Sequence, residues 1–175
     1  PQRDHPHPMS ASGPGTPRPL ALTCGEPAGI GPEIAARAWA ALGARLPFVW
    51  IGDPSHLPPG TPVREVAAPA EAPHVAASAL PVLRHAFPAP ATPARPAPEN
   101  AAEVIAVIAR AVRLAQDGAV SGVVTGPIHK QALQEGAGFA YPGHTEYLAA
   151  LGGVDRVVMM LACEHLRVVP ATIHV

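Results

Sequence analysis

The chain has 175 residues, a formal net charge of −1, 48% hydrophobic residues and only 4% aromatics. That length suffices for one unit with a real core, and the near-neutral balance leaves no basic stripe to hold a nucleic-acid backbone. No apolar run approaches the length of a membrane span, and nothing before Leu20 resembles the apolar centre of a signal peptide.

Cys24 and Cys163 lie far apart with neither CxxC nor metal spacing, so a reducing, cytoplasmic setting is expected. The 24 prolines crowd the first twenty residues and the stretch 54–98. Residues 1–19 are polar, proline-rich and aperiodic, which predicts a disordered tail. His5 and His7 in it read as solvated side chains. The chain begins at Pro1, with Met9 as a candidate start, and Val175 falls inside an expected strand. A strand cut short leaves ladder groups unpaired, so the chain reads as a fragment.

Residues 20–23 form a short apolar run that predicts a buried strand. A tight loop follows, Gly25-Glu26-Pro27-Ala28-Gly29-Ile30-Gly31-Pro32. Pro32 suits a first helical turn and Glu33 the positive end of the helix dipole, so a helix is expected through 34–42, stopped by Gly43. Residues 48–51 predict a second buried strand. Strand, helix, strand is the unit of a parallel α/β sheet.

From 54 to 98 the pattern weakens, with a possible strand at 63–67, an ambiguous run at 74–83 and a proline-rich loop at 88–98. Asn100 and Glu103 have capping-box spacing. Val104, Ile105, Ile108, Ala109, Val112 and Ala115 continue at helical period to Gly118. A strand is expected at 120–124, a short helix at 130–135, a turn at Tyr141-Pro142-Gly143, and a helix near 145–151. Two strands, 157–162 and 166–172, then flank a Cys163-Glu164-His165 turn. Met159 and Met160 are assigned to the core.

The first glycine loop is neither G-x-G-x-x-G nor a Walker loop. Its small residues permit close approach of a ligand or of another chain segment, and spacing favours a plain tight turn. Thr125-Gly126-Pro127-Ile128-His129-Lys130 follows an expected parallel strand, at the edge where ligands gather in open sheets. There Lys130 offers a cation and His129 a donor or acid, against an equally weighted reading as a polar loop. Gly143-His144-Thr145-Glu146 opens a helix, whose free N–H groups attract anions. Thr145 could be a simple N-cap, but a turn needs no histidine, so His144 is assigned to ligand binding. His174 ends an apolar strand with no further ligand at metal spacing, and by spacing alone reads as a strand-end residue.

Four segments together resemble one family: residues 25–33, 125–130, 142–146 and 157–174. In order and spacing they are similar to the N-terminal half of the 4-hydroxythreonine-4-phosphate dehydrogenases, over residues 20–175. The resemblance implies an isocitrate/isopropylmalate dehydrogenase-like α/β fold. The first domain would span 20–130, incomplete, and a second would start within 131–175.

The resemblance also implies a homodimer and oxidation of 4-(phosphooxy)-L-threonine by NAD or NADP. Decarboxylation to 3-amino-2-oxopropyl phosphate follows, in pyridoxal 5′-phosphate biosynthesis. A divalent metal, zinc, magnesium or cobalt, would hold the substrate. The implied substrate-binding residues are His144 and Thr145, and the implied metal ligand is His174, which reverses the reading from spacing. The other metal ligands and most dinucleotide contacts would lie beyond Val175, leaving the fragment inactive by itself. Within the family, threonate or erythronate 4-phosphate, or a terephthalate dihydrodiol, are alternative substrates. A non-catalytic phosphate-binding or dimerisation module is the alternative of another class.

Overall fold

The computed structural model describes residues 18–170. The expected disordered tail, apart from its last two residues, and His174 lie outside that range. Five strands form one all-parallel sheet, in the order β3-β4-β2-β1-β5. They are β1 (Leu20–Thr23), β2 (Phe48–Gly52), β3 (Val63–Glu65), β4 (Leu80–Arg84) and β5 (Val123–Val124). Strand β1 lies inside the sheet. It pairs with β2 from Leu20↔Phe48 to Thr23↔Ile51, and with β5 at Ala21↔Val123 and Leu22↔Val124. Strand β2 is buried along its whole length, as a parallel strand covered on both faces requires.

Helix α1 (Gly31–Leu42) has Pro32 in its first turn, where the missing N–H costs nothing, and Glu33 pairs with Arg37 one turn on. The Trp39 indole N–H donates to the Ala76 carbonyl at 2.8 Å and ties α1 to the one-turn helix α2 (Ala72–Val75). The ambiguous run at 74–83 therefore divides into the end of α2 and strand β4. Pro81 blurs the strand signal, since proline cannot donate to a ladder. The sheet accommodates it because pairing with β2 starts only at Val82.

Helix α3 (Ala101–Gln116) is the hinge of the packing. Val107 and Ala111 sit in the sheet core with Trp50, Ile51 and Leu80. Ala101, Val104 and Ile108 belong to a second cluster with Leu133, Phe139 and Tyr147. Those last three come from α4 (Lys130–Ala137), the loop after it and α5 (His144–Gly152). The expected capping box at the start of α3 does not form. The Asn100 amide instead donates to Ala89 O at 2.9 Å and accepts from Ala89 N at 3.0 Å, stapling the proline-rich loop. Glu103 reaches His85, with Oε2 2.7 Å from Nε2.

After α5 the chain leaves the packed region. Of the two strands expected there, only the short antiparallel pair β6 (Leu161–Ala162) and β7 (Arg167–Val168) forms, with both strands exposed. Met160 is 55% exposed rather than in the core, because no element among the described residues covers this segment. No helix among the described residues is long and apolar enough to cross a membrane.

Candidate functional site

Two loops leave the carboxyl ends of neighbouring strands β1 and β5 and lock together. The Glu26 amide donates to Pro127 O at 2.8 Å, and the Gly126 amide donates to Thr23 Oγ1 at 3.0 Å. Gly25 has φ +68°, and a Cβ there would collide with the backbone of Gly126 and Pro127. Gly25 thus serves the close approach of another chain segment, one of the two close approaches the sequence allowed, whereas Gly29 and Gly31 meet only atoms of their own loop, as in a tight turn. Thr23, Cys24 and Glu26 are all buried beneath this junction. Burial pushes the Cys24 thiol up to about 12, which removes it as a nucleophile near neutral pH.

Chain connections run from β1 to β2 on one side and return to β5 on the other, so this junction is the switch point of the sheet, where ligands collect. A cleft of about 620 Å³ opens there. One wall is residues 125–128 with Lys130, and the other is Ile30 and Ile34 at the start of α1. Gly143 and His144 close it from the N-terminus of α5. The structure therefore brings Thr125, Lys130 and His144 together, although they come from separate segments.

His144 occupies the first turn of α5, half-buried. Its Nε2 is buried and has no hydrogen-bond partner, a costly state for a polar atom unless a ligand completes it. Desolvation lowers its pKa from the ordinary 6.5, so the ring is neutral near pH 7. Thr145 follows in the same turn, outside the cleft lining. Gly143 is the N-cap residue, and no side chain caps the helix. Thr145 is therefore not an N-cap, and the free N–H groups of α5 remain available to an anion.

His129 is committed elsewhere, since its Nδ1 accepts from Ala132 N at 3.2 Å and caps α4. Lys130, next to it, is exposed and makes no ion pair among the described residues. Ile30 and Ile34 were not singled out from sequence. The signal was present in two isoleucines four residues apart, one inside the glycine loop and one just after it. Among the described residues no group of three or more His, Cys, Asp or Glu side chains could hold a metal ion. These residues do not by themselves make a metal centre.

Comparison with known proteins gives one consistent result. The family model for pyridoxal phosphate biosynthetic protein PdxA matches residues 45–175. The 4-hydroxythreonine-4-phosphate dehydrogenase of Ruegeria sp. (strain TM1040) is 60% identical over 161 residues, 92% of this chain and 49% of that protein. The enzyme of the same name from Paracoccus denitrificans is 59% identical over 162 residues, 90% of this chain and 49% of that protein. The crystal structure of 4-hydroxythreonine-4-phosphate dehydrogenase from Klebsiella pneumoniae superposes with TM-score 0.76 at 33% identity. It covers 87% of this chain and 50% of that one. The chain spans about half the length of the curated relatives it matches.

Proposed function

The chain belongs to the family of pyridoxal phosphate biosynthetic protein PdxA, and from that premise we propose that it forms the N-terminal half of an NAD- or NADP-dependent dehydrogenase. The substrate is 4-(phosphooxy)-L-threonine. Oxidation removes a hydride and a proton from its secondary alcohol, and the resulting 3-oxo acid loses carbon dioxide to give 3-amino-2-oxopropyl phosphate. The dinucleotide, when bound, accepts the hydride.

The residues of this chain bind and orient. Lys130 and the free amides of the first turn of α5 attract the anionic substrate. The neutral His144 ring presents Nε2 to a phosphate or hydroxyl oxygen, and Thr145 adds a hydroxyl at the same helix end. Ile30 and Ile34 supply an apolar wall that limits water. The observation supporting this reading is the unpartnered Nε2 of His144 in a residue that lines the switch-point cleft.

The test is His144→Ala in the full-length enzyme, assayed with 4-phosphohydroxythreonine, NAD and a divalent metal. Loss of a charge-assisted hydrogen bond lowers kcat/KM by about 1.5–3 kcal/mol, or roughly 10- to 150-fold, without lowering Tm. Unchanged kcat/KM rejects the substrate role, and a large fall in Tm assigns His144 to the scaffold instead. Absence of turnover in the wild type favours the phosphate-binding or dimerisation module.

The proposal includes a cytoplasmic homodimer and a second α/β domain that starts within residues 131–175. It also makes His174 one ligand of a divalent metal, zinc, magnesium or cobalt, whose remaining ligands lie outside this chain. The described residues do not build that metal's site by themselves. His174→Ala in the full-length enzyme is expected to lower bound metal, measured by elemental analysis, and to abolish turnover. Full metal content with full turnover returns His174 to a strand-end residue.

A further inference from the structure

Glu26 is 7% exposed, and no lysine, arginine or histidine among the described residues forms an ion pair with it. A buried carboxylate without a cation is expensive, so the hydrogen bonds it makes indicate its use. Its Oε1 accepts from the Ala28 amide at 3.0 Å. Its carbonyl accepts from the Gly29 amide at 3.0 Å, and its own amide donates to Pro127 O at 2.8 Å.

These bonds run in two directions. Through its amide Glu26 holds Pro127, which belongs to one wall of the cleft. Through its carboxylate and carbonyl it fixes the turn at Ala28 and Gly29, which delivers Ile30 and then Ile34 to the opposite wall. The proline-rich loop reinforces the same turn from outside, where the Ala94 amide donates to Ala28 O at 2.8 Å. Glu26 itself does not line the cleft.

We propose that Glu26 is a positioning residue whose folded-back carboxylate sets the separation between the Pro127 wall and the Ile30–Ile34 wall of the cleft. Its action is geometric. The hydrogen-bond acceptor matters and the negative charge does not. The kinetic arm of the test rests on the function proposed above, whereas the anion-binding arm does not.

In the full-length enzyme, Glu26→Ala should raise both the Kd for inorganic phosphate, by calorimetry, and KM for 4-phosphohydroxythreonine. The expected rise is about fivefold or more, with kcat within about twofold. Glu26→Gln keeps an oxygen for the Ala28 amide and should hold both constants within about twofold of wild type. A role confined to stability would lower Tm without this split between KM and kcat and without rescue by glutamine. Unchanged constants in Glu26→Ala overturn the proposal, and so does Glu26→Gln as damaging as alanine.

Should Glu26→Ala fail to fold, Gly29→Ala perturbs the same turn more gently, since its Cβ would lie 3.3 Å from Glu26 O. It should raise the two constants by a smaller factor, and no rise overturns the proposal. A wild type that binds phosphate but shows no turnover refutes the function alone, and the phosphate arm still decides the role of Glu26. A wild type with neither overturns both.

Discussion

Val49-Trp50-Ile51 in β2 and the run from Val157 to Leu161 have similar apolar character, and their surroundings are opposite. The first is sealed between strands and helices with no exposure at all. The second reaches solvent at nearly every position, with Val158 67% and Leu161 57% exposed. An apolar run expresses a need for a covering partner. For β2 that partner lies within this chain, in β1, β4 and α3. For the β6–β7 segment no such partner stands among the described residues.

Thiol chemistry separates the two regions most sharply. Cys24 is buried in the first and Cys163 exposed in the second. With the Cys24 thiol pushed up to about 12, its thiolate fraction at pH 8 is about a thousandfold or more below that of an ordinary cysteine. Iodoacetamide should therefore label one thiol in the native chain and two in urea, as read by intact mass. Two fast labels in the native state would refute the sealed core.

Truncation comes next. Ile51→Ala should cost about 2–5 kcal/mol of unfolding free energy, whereas Leu161→Ala in the 175-residue chain should stay within about 0.5 kcal/mol. In the full-length form the Leu161 substitution should cost more, since the proposed second domain would cover it. Equal small costs in both forms would show that the β6–β7 pair faces solvent in each.

The smallest effect is titration at the border of the two regions. His144 takes up its proton at lower pH in the fold than in the unfolded chain, because burial disfavours the charged ring. Below pH 6.5 the unfolded state therefore binds more protons, and stability falls as pH drops from 6.5 toward the folded value. Above 6.5 the effect vanishes. His56, also lowered chiefly by burial, has the same sign, so His144→Gln should reduce this slope without removing it. An unaltered slope in denaturant midpoints between pH 7 and 5 would contradict the burial of the His144 ring.

The parts of the fold legible in the sequence are those where one local signal sufficed. The run Phe48–Gly52 has no polar interruption, and Pro32 with Glu33 marks the start of α1 within its first turn. Signals failed where a distant segment claimed the same atoms. Asn100 and Glu103 have the spacing of a capping box, yet Ala89 and His85 occupy their side chains. Strand β5 is two residues long rather than five. Ser121 N donates to Pro19 O and Val120 N to Leu114 O, outside the regular ladder. Of the residues that line the cleft, His144 stood out in the sequence because a turn does not require histidine. Ile30 and Ile34 were not, since exposed isoleucines gain meaning only once residues 125–130 stand opposite them.

The interior place of β1 has a consequence for biogenesis. The Gly126 amide that bonds Thr23 lies 103 residues further along the chain. At ribosomal rates that separation is about 5–20 s of synthesis. Throughout that interval β1 can pair with β2, while its other edge stays open to any strand that approaches. The cleft cannot exist until this pairing closes, so it is a late product of translation although Ile30 and Ile34 are made early, and the nascent β1 edge stays open to mispairing until then.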